Sequence, residues 1–104
     1  MNQPDLIVEI GIDKKGRLYV KPENESYPTI FLEGVEVHWD AERRFLYSPK
    51  PREWSYFDWF THILSVADPA TDRLIISEKT KWKEIPEELK FRIEAWMDNR
   101  EPQK

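Results

Sequence analysis

The chain has 104 residues, with 16 Lys and Arg against 20 Asp and Glu, a net charge of −4 and no cysteine. That length suits one small domain and is too short for two independent cores. The missing thiols exclude disulfide frameworks, thiolate metal sites and cysteine nucleophiles.

Hydrophobic residues make up only 39% of the chain, but five Trp, five Phe and four Tyr supply large buried area per residue, so a folded domain is expected. No apolar run approaches the ~20 residues of a membrane helix. Met1-Asn2-Gln3-Pro4-Asp5 also lacks the basic and apolar regions of a signal peptide, so a cytoplasmic location away from membranes is expected. The negative balance disfavours indiscriminate binding to phosphate backbones. Charge is segregated: Pro22 to Glu42 holds six acids and no base, whereas Arg43 to Arg52 holds four bases and no acid. Such neighbouring segments can pair across a hairpin as ordinary surface charges.

Along the chain, Leu6, Val8, Ile10 and Ile12 alternate with Ile7, Glu9 and Gly11, which predicts a half-buried strand. Asp13-Lys14-Lys15-Gly16 reads as a hairpin turn in which Gly16 is free to take positive φ. Arg17 to Lys21 returns as a strand, closed by Pro22 and the polar run Glu23 to Ser26. Tyr27 to Leu32 fits either a helical turn or a short strand, and the strand is preferred for its β-branched content. After Gly34, the alternation of Val35, Val37 and Trp39 with Glu36, His38 and Asp40 predicts a strand, with Phe45 to Ser48 as its antiparallel partner. A five-residue loop would put Phe45 and Tyr47 on the Trp39 face, and a four-residue loop would put Leu46 there. The first register buries more aromatic area and is preferred.

Pro49 and Pro51 remove ladder donors, so Ser48 to Arg52 is a stiff connector rather than a central strand. A helix is predicted from about Glu53 to Ala67, its apolar half made of Tyr56, Phe57, Trp59, Phe60, Ile63, Leu64, Val66 and Ala67. Asp68-Pro69 ends it. Asp72 to Lys79 reads as a strand interior to the sheet, since Leu74 and Ile76 face one way and Ile75 the other. Pro86 fits the first position of a last helix with Ile85, Leu89, Ile93, Trp96 and Met97 as its buried stripe. Residues 100–104 read as a frayed tail. The whole is a single α+β domain over residues 1–104. Its mainly antiparallel sheet has four to six strands with two amphipathic helices on one face, in the order β-β-(β)-β-β-α-β-α.

Few constellations carry chemistry. His38 shares a predicted strand face with Glu36 and Asp40, a carboxylate-imidazole-carboxylate row able to hold a divalent metal or transfer a proton. The same row also reads as a solvated face whose charge blocks edge pairing, and a metal would need a third convergent element. Asp58 and His62 stand four apart on the polar side of the first helix, as a general-base pair or as an exposed helix pair. No nucleophile motif accompanies them. Gly11, Gly16 and Gly34 form no phosphate-binding loop, and no zinc or calcium spacing appears, so neither a cofactor nor a metal is expected.

Binding is better supplied. Arg43, Arg44, Tyr47, Lys50, Arg52 and Trp54 interleave bases with rings, the combination that suits an acidic protein surface or single-stranded nucleic acid. The prolines hold Lys50 and Arg52 with little entropy left to lose on binding. The competing reading packs Trp54 under the loop as a helix-start anchor. Phe91, beside Ala95 and opposite Leu89 and Ile93, is set among acids as a lone exposed ring or as a contact with a second copy.

The run Tyr47-Ser48-Pro49-Lys50-Pro51-Arg52-Glu53-Trp54-Ser55-Tyr56-Phe57-Asp58-Trp59-Phe60 resembles a segment of small bacterial proteins carried on mobile elements, integron gene cassettes among them. The resemblance implies a compact α+β protein with no assigned activity. Immunity proteins that neutralise toxins are similar in size and acidity. The reading that follows is a non-enzymatic binding protein that recognises another protein, either a toxin-like partner or a second copy. A small enzyme or ligand-binding domain built on either histidine, and a single-stranded nucleic-acid binder, are the alternatives.

Overall fold

Asp5–Ile12 (β1) is the strand on which the rest of the sheet is assembled, and a computed structural model describes residues 4–32, 36–70 and 73–100. It pairs antiparallel with β2, Leu18–Pro22, through a turn in which Gly16 has φ 80°. The Asp13 carboxylate closes that turn by accepting from the Lys15 and Arg17 backbone and from Arg17 Nε at 2.8 Å. Burial raises the Asp13 pKa, but these bonds outweigh it and hold the carboxyl below its usual range. A register shift between Ile7 and Glu9 breaks the expected alternation of β1. Ile7 and Ile10 are therefore both fully buried, while Leu6 and Val8 are only half-buried.

Residues Ile30–Leu32 form a 3₁₀ turn, which corrects the strand preferred for Tyr27 to Leu32. Ile30 N–H donates to Tyr27 O and Leu32 N–H to Thr29 O; of the three turn residues Ile30 is buried, while Phe31 and Leu32 are exposed. Next come β3, His38–Asp40, and β4, Phe45–Tyr47, paired with Trp39 opposite Leu46 and Asp40 opposite Phe45. The loop therefore has four residues, and the preferred five-residue register is wrong. Turn chemistry decides it: the Asp40 carboxylate accepts from Glu42 and Arg43 N–H, and Arg44 takes φ 60°. Val35, part of the predicted strand, lies outside the described residues.

The interior strand expected over residues 72–79 is also corrected. Only Leu74–Ile75 (β5) is extended, at the edge of the sheet, where it runs parallel to β1. Asp72 lies outside the described residues. An unexpected strand, β6 at Lys81–Lys83, pairs parallel with β1 farther along the same side. The two pieces are separated by a turn, from which Thr80 Oγ1 donates to Ile7 O at 2.8 Å beside the β1 irregularity. The sheet runs β3-β4-β2-β1-β5 with β6 also on β1, so it is mixed, and the fold is α+β as expected.

Tyr56–Ala67 (α1) starts three residues later than expected because Ser55 caps it. Ser55 Oγ accepts from Asp58 N–H and the Asp58 carboxylate accepts from Ser55 N–H, a reciprocal pair at 3.1 Å each. Glu87–Asn99 (α2) follows Pro86, which stands just before the helix. Trp59, Phe60, Ile63 and Leu64 of α1 and Ile93 and Met97 of α2 join Ile7, Ile10, Leu18, Val20 and Leu46 of the sheet in one core.

Arg100 is not frayed. Its guanidinium donates to the Asp68 carboxylate at 3.3 Å and to Asp68 O at 3.0 Å, and Asp68 is 1% exposed. The two residues join the ends of α1 and α2 beside β5. Residues 101–104 lie outside the described residues. Among those described, no helix is long and apolar enough to cross a membrane.

Candidate functional site

The connector between β4 and α1 is pinned at both ends, and a cleft opens beside it. Ser48 is fully buried: its N–H donates to Leu18 O, and its hydroxyl accepts from Leu18 N–H and donates to Pro49 O. At the other end Tyr56 Oη donates to Gly16 O at 2.9 Å. The Lys50 stem lies over the same turn, where a Cβ added to Gly16 would sit 3.3 Å from Lys50 Cγ. Between these pins Pro49 and Pro51 restrict φ, so the segment presents Lys50 and Arg52 on a prepared backbone.

The cleft, of about 650 Å³, is lined by Glu36, Pro49, Lys50, Arg52, Glu53, Trp54, Trp59 and His62. Three rings form its aromatic wall. Trp54, 45% exposed, lies 4.8 Å from Trp59 between centroids and 5.3 Å edge-on from His62. Trp59 and His62 are 5.6 Å apart, one helical turn from each other on α1. Trp59 is buried, and its Nε1 has no hydrogen-bond partner among the described residues. Lys50 and Arg52 form no ion pair among the described residues. With rings, a proline and two uncommitted cations, the cleft can hold an apolar side chain that travels with a carboxylate.

The six residues expected to form the binding surface are divided by the fold. Lys50, Arg52 and Trp54 meet in the cleft. Tyr47 lies instead on the sheet face opposite the core residue Leu46, stacked on His38 at 5.3 Å with the Arg17 guanidinium 4.5 Å above its ring. Arg44 turns back to donate to the Asn24 and Glu25 carbonyls and rests over Trp39. Arg43 is exposed in the hairpin turn. On that same sheet face Tyr19 stacks on Phe45 at 4.5 Å and donates to the Glu9 carboxylate, directly over Gly11. Burial and the Glu9 carboxylate push the Tyr19 phenol well above its usual range.

The histidine constellations are also taken apart. Glu36 has φ 63°, precedes β3 and lines the Trp54 cleft, while His38 stands on Tyr47 and the Asp40 carboxylate is occupied by its turn. Asp58 belongs to the α1 cap, and His62 belongs to the aromatic wall. Among the described residues no group of three His, Asp or Glu is placed to hold a metal ion. The cleft also takes in Pro49, Glu53 and Trp59, which the expected binding surface lacks. The i,i+3 spacing of Trp59 and His62 was the available signal.

Phe91 is 71% exposed on the outer side of α2, with Ala95, Ile76 and Ser77 around it and Glu78, Glu94 and Asp98 at the rim.

Comparison with known proteins adds kinship. No curated protein matches the chain. The solved structure described as an integron cassette protein, Hfx_Cass5, from the mobile metagenome of the North West Arm sewage outfall is 35% identical, over 94% of this chain and 98% of that one, with a TM-score of 0.47. The family profile of that cassette protein matches residues 5–80, and the chain therefore belongs to the Hfx_Cass5 integron cassette protein family.

Proposed function

We propose that this chain is a non-enzymatic binding domain that recognises a protein partner through the cleft between the Pro49–Trp54 connector and α1. The observation that carries the reading is the meeting of Trp54, Trp59 and His62 with Lys50 and Arg52 around one opening. Exposed Trp beside Arg is the composition of interface hot spots, and a backbone already held by Ser48 and Tyr56 loses little freedom on docking. The partner segment carries an aromatic or other apolar side chain next to acidic groups.

The test is titration of the isotope-labelled protein with the capped tripeptide acetyl-Glu-Phe-Glu-amide and, separately, acetyl-Lys-Phe-Lys-amide, read by NMR. The acidic peptide is expected to shift the Trp54 indole and the Lys50 to Trp54 amides, more weakly as salt rises. The effect should be lost in Lys50→Glu with Arg52→Glu at unchanged melting temperature. Equal shifts from both peptides, or shifts elsewhere on the surface, would refute the reading. Tighter binding of a single-stranded oligonucleotide at the same residues would replace it with nucleic-acid recognition.

A further inference from the structure

We infer that the occupant of the cleft is a second copy of this chain, with Phe91 of one copy entering the Trp54 cleft of the next; this rests on the reading of the cleft as a recognition site. The cleft suits a ring flanked by carboxylates, and the outer side of α2 presents one. Among the described residues Phe91 is the second most exposed of the large hydrophobic side chains, at 71% against 72% for Leu32, and it stands among Glu78, Glu94 and Asp98. The bases of α2 rest on half-buried rings beside this surface: Lys90 lies 5.5 Å from the Trp82 centroid and Arg92 4.3 Å from that of Phe57. Its acids form no ion pair among the described residues. The exposed side of α2 is therefore acidic around an aromatic centre.

Charge also selects the geometry. A two-fold contact through Phe91 would set Glu78, Glu94 and Asp98 of one copy against the same three carboxylates of the other, a like-charge arrangement that disfavours a symmetric dimer. Placing Phe91 against Trp54 and His62 instead brings Glu94 and Asp98 towards Lys50 and Arg52. Glu36 and Glu53 line the same cleft, so the ring supplies most of the affinity, while Lys50 and Arg52 set the preference for acidic flanks. The two surfaces share no lining residue, so one molecule can use both at once. The contact is heterologous and builds head-to-tail chains or a closed ring.

Sedimentation velocity from micromolar to millimolar protein tests this. Wild type is expected to gain mass progressively with concentration. Phe91→Asp alone should weaken association about 10- to 100-fold, since one buried ring carries most of the contact. Lys50→Glu with Arg52→Glu alone should also weaken it, because every charged residue lining the cleft is then a carboxylate facing Glu78, Glu94 and Asp98. Each single variant keeps one intact surface, so mixing the two should yield a one-to-one heterodimer and nothing larger. All changed positions are exposed, and unchanged melting temperatures control for folding. A wild type that stays monomeric at millimolar concentration, association that survives either variant, or a mixture that stays monomeric would overturn the inference. A monomeric wild type that still binds acetyl-Glu-Phe-Glu-amide in the cleft would retire self-association alone. A protein that does neither would retire the cleft reading as well.

Discussion

Replacing Arg100 by Met tests how the two helix ends are joined. Arg100 reaches the Asp68 carboxylate at 3.3 Å, Asp68 O at 3.0 Å and Leu74 O at 3.4 Å, and its guanidinium lies 5.1 Å from the Trp96 ring centroid. The Arg100 and Asp68 side chains are 8% and 1% exposed, so Met would leave a buried carboxylate without its counter-charge. Removing one partner of a buried ion pair costs about 3–5 kcal/mol. Here the lower end applies, because Asp68 Oδ2 keeps the Arg73 and Leu74 backbone N–H groups at 3.2 and 3.0 Å. The expected loss is therefore about 3 kcal/mol, or roughly 12–24 °C in melting temperature for a domain of this size. Urea unfolding followed by tryptophan fluorescence measures it. Asp68→Asn added to Arg100→Met should cost less than Asp68→Asn alone, because the charge has already lost its partner. A loss under about 0.5 kcal/mol for Arg100→Met, the usual range for exposed positions, would show that the pair does not hold the helix ends.

Three further outcomes follow from local geometry. Gly11→Ala would place a Cβ 2.5 Å from Tyr19 Cζ. It should lower stability by about 2–4 kcal/mol in chemical denaturation by displacing Tyr19 from Phe45 and Glu9, and Gly11→Ala combined with Tyr19→Ala should recover part of that. Ser55→Ala removes the α1 cap and should cost about 1 kcal/mol in the same assay, with the first-turn amides of α1 losing protection in hydrogen exchange. Burial pushes the Tyr27 phenol up to about 12 from its ordinary 10.0. A raised folded-state pKa contributes stability that is complete below the unfolded value and is lost as pH rises through the folded one, so unfolding between about pH 10 and 12 should be less steep with pH in Tyr27→Phe than in wild type.

Much of this architecture is readable in the chain because ring burial and periodicity agree. The apolar half of α1 and the stripe of α2 became core as their spacing implied, and Gly16 and Asp68-Pro69 acted as punctuation. The errors arose where a single polar side chain outvoted periodicity. Asp40 set a four-residue turn, and aromatic area could not reveal it, since Phe45 becomes 6% exposed on the other face by stacking on Tyr19. Thr80 bridged the β1 irregularity and let two short parallel strands replace one long one. Arg100 looked like tail because its partner, Asp68, lies 32 residues away in sequence. The cleft was half visible: Lys50, Arg52 and Trp54 are adjacent in the chain, but Trp59 reads as core from its position on the helix and Glu36 joins only through a positive φ.

The most direct test of recognition at the cleft is an intermolecular NOE measurement between acetyl-Glu-Phe-Glu-amide and the protein. Cross-peaks from the peptide's phenyl protons to the Trp54, Trp59 and His62 rings are the expected result. Cross-peaks confined to Tyr47 and His38 on the far sheet face, or none at saturating peptide, would contradict the account.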